Sequence, residues 1–199
     1  MTALEEKFAR MATGKPYNDL DPQLIAIRAE ATRLTTALNQ AADIHTRLAR
    51  FRELVGSAGT EPMIEPNFRV EFGRNIHVGD HFYANYDCVL LDGAPITIGD
   101  RVLFGPKVGL YTSNHLLDPT EREAGGCTAQ PITIGDRVWL AANVTVLPSV
   151  TIGANTVVGA GSVVTHDLPA NVVAAGNPCQ ILHEITATDK TGFNGVDMG

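Results

Sequence analysis

The stretch TIGANTVVGAGSVVTHDLPANVV, residues 151–173, places Ile152, Val158, Val164 and Ala170 six residues apart. An α-helix repeats near 3.6 residues and a β-strand at 2, so a period of six belongs to neither alone. A second apolar or small position follows most of these by four, as at Val138, Val144, Val150 and Ser162. Positions i, i+4, i+6 and i+10 share one side only when short strands meet at corners. Three six-residue sides make a triangular coil of roughly 18 residues, stacked on the next at roughly 4.8 Å with its i residues inward. The spacing predicts a mainly β protein, a parallel β-helix of hexapeptide repeats.

Working outward, Ile134, Leu140 and Val146 precede this run in phase, and Ile98, Phe104 and Leu110 lie before an interruption. A two-residue slip around GAPIT separates these from Phe72, Val78, Ala84 and Leu90. Glycine follows the inward residue in VGD, IGD, FGP, IGA and VGA, which suits a tight corner where a side chain would obstruct. The phase survives the gap between Leu110 and Ile134, which chance Val-Gly turns in a sandwich have no reason to do.

The first 55 or so residues read differently. Thr2 and Glu5 form a capping-box pattern ahead of Phe8 and Met11, and Gly14 with Pro16 ends that helix. Asp21 and Pro22 open a second helix, whose Leu24, Ile27, Ala31, Leu34 and Leu38 make an apolar stripe. A third begins near Asp43. The organisation expected is an N-terminal α-helical segment over 1–58, with GSAGTEP as linker, a β-helix over 59–185, and a polar tail over 186–199. That tail is expected to be irregular or draped on a neighbour.

Of 199 residues, 44% are hydrophobic, as in an ordinary globular protein, and 15 Lys and Arg stand against 22 Asp and Glu. The net charge of -7, without a basic block, argues against nucleic acid as a partner. No apolar run reaches membrane-spanning length, the start is acidic where a signal peptide is basic, and the three cysteines are widely spaced. A cytoplasmic protein with a small-molecule substrate is expected, with no membrane partner.

The interruption, YTSNHLLDPTEREAGGCTAQP over 111–131, is polar and Gly-rich and reads as an excursion loop on a rigid scaffold, where binding groups tend to sit. His115 stands at its root, where its side chain should leave the prism. An exposed imidazole can take a proton from a hydroxyl. Position alone fits a solvated histidine equally well.

FYANYDCVLLD, YTSNHLLDP, PITIGDRVWLAANVTVLPSVTIGANTVVGAGSVVT and NVVAAGNPCQIL, with YNDLDPQL in the front end, resemble the galactoside and maltose O-acetyltransferases of the hexapeptide-repeat superfamily. The resemblance implies a left-handed β-helix, a homotrimer with active sites between subunits, and acetyl transfer from acetyl-CoA to a sugar-like hydroxyl without an acyl-enzyme or a metal. It assigns His115 as general base and Asp19, Arg28, Asn85 and Asp92 to the acceptor. It places Trp139 beside the pantetheine arm, the Ala142 amide at the developing oxyanion, and Ala160 and Thr165 along the coenzyme groove. His166, Gln180 and His183 stand where relatives commonly carry Lys or Arg, which weakens the expected hold on the coenzyme phosphates.

Two rivals remain at this point. HVGDH supplies His77 and His81, which with His115 would make the three-histidine zinc site of a γ-class carbonic anhydrase, although the close pair comes first and is four apart rather than five. A non-catalytic β-helix scaffold subunit is the other. Cys88, in the inward i+4 register, reads as a packing residue; the excursion's Cys127 could be exposed, but it has no evident activating partner.

Overall fold

The computed structural model describes residues 2–193 and 195. The hexads form a three-sided parallel coil. The first side stacks Ser57–Ala58, Ile76–Val78, Ile96–Ile98, Ile132–Ile134 and Thr151–Ile152. The second stacks Met63–Ile64, Tyr83–Ala84, Leu103–Phe104, Trp139–Leu140, Val157–Val158 and Val172–Ala175. The third stacks Arg69–Val70, Val89–Leu91, Gly109–Tyr111, Thr145–Val146 and Val163–Val164. After Ala175 the chain turns back, and Gln180–Glu184 pairs antiparallel with Val172–Ala175.

Each inward side chain lies over the equivalent one of the next coil. On the second side the column runs Ile64, Ala84, Phe104, Leu140, Val158, Ala174, every member buried. Burying one such aliphatic side chain contributes about 1.5–3 kcal/mol, so the stacked columns add substantially to stability. Cys88, as expected, is in this core.

The corners explain the GD motifs. A Cβ on Gly99 would lie 2.8 Å from the Asp136 nitrogen of the next coil, so a side chain there is obstructive. The aspartates form a ladder: Oδ1 of Asp80 accepts from Thr60 N, Asp100 from Asp80 N, and Asp136 from Asp100 N, at 2.7 to 2.9 Å. Left-handed backbone falls two residues after the glycine, as at His81, Arg101 and Arg137.

Three details of the six-count change. Phe72 is buried but outside the column, packing with Phe8, Met11 and Leu24 of the front end. Ala170 is exposed, and Leu168 takes the inward place opposite Ile152, so the last coil is shortened. The supposed linker already holds the first rung, since Ser57–Ala58 pairs with His77 and Val78.

The helices follow their caps. α1, Ala3–Met11, has the Thr2–Glu5 capping box; α2, Pro22–Gln40, is capped by Asp21; α3, Ile44–Leu54, by Asp43. Ala31 and Leu38 of α2 and Phe51 and Leu54 of α3 join the rod's core and close its first coil. No helix among the described residues is long and apolar enough to cross a membrane. In the tail, Ala187–Asp189 forms a short 3₁₀ turn, while the expectation for 194 and 196–199 lies outside the described residues.

Phe104 is fully buried and meets Phe82 edge-on at 5.1 Å between ring centroids. Phe104→Ala is expected to cost about 3–5 kcal/mol, read as a lower urea midpoint with an unchanged slope.

Candidate active site

The excursion is not an irregular loop. Ser113–His115 and Gly126–Ala129 form an antiparallel hairpin around the short helix Pro119–Glu123, itself capped by Asp118. A strand from the front end, Tyr17–Asn18, adds to its free edge. One register row runs Tyr17, Cys127, His115. The N–H of Asp19 then donates to the Gly125 carbonyl at 2.8 Å. The helical segment is thereby stitched to the excursion, one strand across from His115.

His115 is exposed, and its Nδ1 lies 3.1 Å from the Cys127 sulfur. Among the described residues its Nε2 makes no hydrogen bond, leaving that nitrogen available to a substrate. Cys127 is 3% exposed, which corrects the expectation of a solvent-facing thiol without a partner. Burial, reinforced by the Asp19 and Glu71 carboxylates, pushes its thiol up to about 11.

Arg28 braces the front end. Its guanidinium pairs with the Asp19 carboxylate, donates to the Asp19 carbonyl at 3.2 Å, and donates from Nε to Glu71 at 3.0 Å. Asp19 and Arg28 thus do meet, but Arg28 is held by carboxylates, so carboxylate oxygens dominate this cluster. Glu71, missed in the sequence, is its third member. Burial raises it to about 7, outweighing the attraction of Arg28. Its only sequence signal is a charge between two apolar residues, Val70 and Phe72.

Asp92 is corrected from acceptor contact to structural support. It is 0% exposed, and its carboxylate accepts from the amides of Phe72, Gly73 and Asn75 at 2.8 to 3.1 Å. Burial pushes its pKa up while those amides pull it down. It fastens the corner that carries two extra residues.

The remaining candidates lie elsewhere on the rod. His115 and Glu71 follow third-side strands and sit on the edge between third and first sides, which Thr165 and His166 share two coils on. Asn85, Ala142 and Ala160 sit on the edge between second and third sides. Gln180 is opposite Ala175 near that edge, and His183 is further along the second side. Trp139 projects outward from the second side, 48% exposed, between Leu103 and Val157. Among the described residues, the amide hydrogens of Ala142 and Ala160 have no acceptor. One chain therefore carries two separate columns.

The zinc reading loses its geometry within one chain. His77 Nδ1 meets Ser57 Oγ at 2.9 Å on the first side, and His81 faces Glu61 at the next corner. Among the described residues no three His, Cys, Asp or Glu side chains converge on a metal position.

Comparison with known proteins agrees with this architecture. Residues 131–166 match the family described as "Bacterial transferase hexapeptide (six repeats)", and residues 10–59 match the "Maltose acetyltransferase hexapeptide capping motif". The chain is 38% identical over 183 residues to the galactoside O-acetyltransferase of Escherichia coli K12, covering 91% of this chain and 90% of that one. The solved maltose O-acetyltransferase of Clostridium difficile 630 superposes with a TM-score of 0.87 at 42% identity, covering 90% and 97% of the two chains. A galactoside acetyltransferase solved in complex with coenzyme A gives 0.88 at 37%, covering 92% of each. The chain belongs to the hexapeptide-repeat acetyltransferases of the maltose and galactoside type. Its coil is the left-handed β-helix of that family, and it is an acetyltransferase.

Between pH 4.5 and about 7 the folded chain keeps a proton on Glu71 that the unfolded chain has released. The sign follows: as pH rises through this window, stability from this group falls. Glu71→Gln is expected to flatten that slope, measured as urea midpoints at about pH 5 and about pH 7.5.

Proposed function

We propose that the protein moves the acetyl group of acetyl-CoA to a hydroxyl of a sugar or similar small acceptor. The observation that carries this reading is the free Nε2 of His115, set at the end of a hairpin to which the front-end strand leading into Asp19 is stitched. Support for the donor comes from the coenzyme A in the galactoside acetyltransferase complex, and for the acceptor from the sugars in the relatives' names.

His115 Nε2 removes the acceptor's hydroxyl proton as the oxygen attacks the thioester carbonyl, and the ring's proton returns to the departing coenzyme sulfur. The products are an acetyl ester and free coenzyme A. The unoccupied amide of Ala142 donates to the developing oxyanion, and the carboxylates of Asp19 and Glu71 accept from other acceptor hydroxyls. Asn85 completes the acceptor site. Trp139 gives the pantetheine arm an apolar wall, and Ala160 and Thr165 line the groove. His166, Gln180 and His183 meet the phosphate end without a fixed positive charge among them.

These roles require both columns at one place, which one chain does not provide. A homotrimer solves this by laying the edge between second and third sides of one subunit against the edge between third and first sides of another, so that each site is shared. The outward ladder of Met63, Tyr83 and Leu103 offers apolar surface for that contact. Three buried free cysteines suit a reducing, cytoplasmic setting.

His115→Ala is expected to lower acetyl-CoA-dependent thiol release by about 10²- to 10⁴-fold with the fold intact, and an undiminished rate would remove the base assignment. A Cβ on Gly105 would lie 2.7 Å from the Ala142 nitrogen. Gly105→Ala should therefore displace the oxyanion amide and lower kcat about 10- to 100-fold. Co-refolding the two variants should restore part of the activity, because mixed trimers contain sites built from two intact edges. Recovery no greater than the separate variants combined would contradict shared sites.

A further inference from the structure

A general base works through one nitrogen, and the other ring nitrogen decides which one that is. In His115 that other nitrogen, Nδ1, faces the Cys127 sulfur at 3.1 Å. The contact is fixed by the backbone, since His115 and Cys127 are register partners in the hairpin and Tyr17 closes the row from the far side. The Cys127 residue is almost wholly enclosed, so the partner of Nδ1 is held in place by its packing.

We propose that Cys127 is the positioning residue of His115: its sulfur receives the Nδ1 proton, fixes the ring, and leaves Nε2 unprotonated toward the acceptor hydroxyl. The inference rests on the reading of His115 as base. A thiol that donated its own hydrogen to Nδ1 would leave the hydrogen on Nε2 and block the reaction. When Nε2 takes the hydroxyl proton, the imidazolium bears N–H at both positions, and the Nδ1 hydrogen then needs an acceptor. The sulfur lone pair supplies it.

The neighbourhood explains why a neutral group serves here. Asp19 and Arg28 from the front end and Glu71 from the rod act electrostatically on the Cys127 thiol, and Tyr17 is its register partner on the side away from His115. A carboxylate in place of the thiol would stabilise the imidazolium and hold a proton on the ring. The thiol remains protonated near neutrality, as its environment dictates. It orients the base without adding charge.

Cys127→Ala and Cys127→Ser test this, with His115→Ala as reference. Cys127→Ala should lower kcat about 5- to 10-fold while the KM for acetyl-CoA and the melting temperature stay near wild type. Cys127→Ser, whose oxygen is a better acceptor, should keep the rate. The acid limb of the kcat/KM profile should move to higher pH in the serine variant and to lower pH in the alanine variant. Nitrogen NMR of His115 should show Nδ1 protonated in wild type and a tautomer mixture in Cys127→Ala. If His115→Ala is inactive while both cysteine variants keep the wild-type rate, limb and tautomer, Cys127 has no positioning role and the base assignment stands. An active His115→Ala would end both. Should the alanine variant not fold, an unmoved limb in Cys127→Ser would be sufficient to overturn the inference.

Discussion

Every sixth side chain must lie directly over its counterpart in the next coil, and the rest of the molecule is organised by that demand. It forces the corners to be tight, because successive rungs are one strand spacing apart. A Cβ at Gly99 or Gly105 would strike backbone of the coil beyond. The same closeness lets one carboxylate reach the previous coil's amide, so Asp80, Asp100 and Asp136 form a ladder rather than a row of isolated charges. The corner residues tolerate left-handed backbone because the stack on either side holds them there.

A rod of this kind has flat sides and little concavity of its own, so function is attached to it from outside. The hairpin and the front-end strand do this together, and neither is placed without the other. Tyr17–Asn18 needs the hairpin as a pairing partner, while the hairpin needs that strand to cover its edge. The Arg28 brace then joins the front end to Glu71 on the rod. His115 is thus held by backbone pairing in the hairpin, while the Arg28 ion pairs fix the front end that covers the hairpin's edge, which is a rigid way to present an exposed ring.

What could be seen in the sequence followed physical necessity. The inward hexad positions cannot be polar over many coils, so the rod was legible from its period, and the three helices from the oxygen caps of Thr2, Asp21 and Asp43. The ends of the count were not. Ala170 and Leu168 are both apolar on either side of Pro169, and only the pairing of Leu168 with Ile152 decides between them. The hairpin escaped notice because Ser113, Asn114 and His115 show no apolar alternation. Glu71 and Arg28 are 43 residues apart and meet only through the coil, while Cys127 gains its partner from cross-strand register. Asp92 lay beside the acceptor-site motifs in sequence, yet its three amide partners turn it inward.

The return strand Gln180–Glu184 has a consequence for the molecule in the crowded cell. A stack of parallel rungs ends in open amides and carbonyls that could template another copy, and nothing in a repeat limits its own length. By running backwards across the final rung, this strand presents the wrong polarity for a further coil, while α2 and α3 lid the opposite end. On the second side the rod is thereby closed to a further parallel rung, and the helices cover the other end.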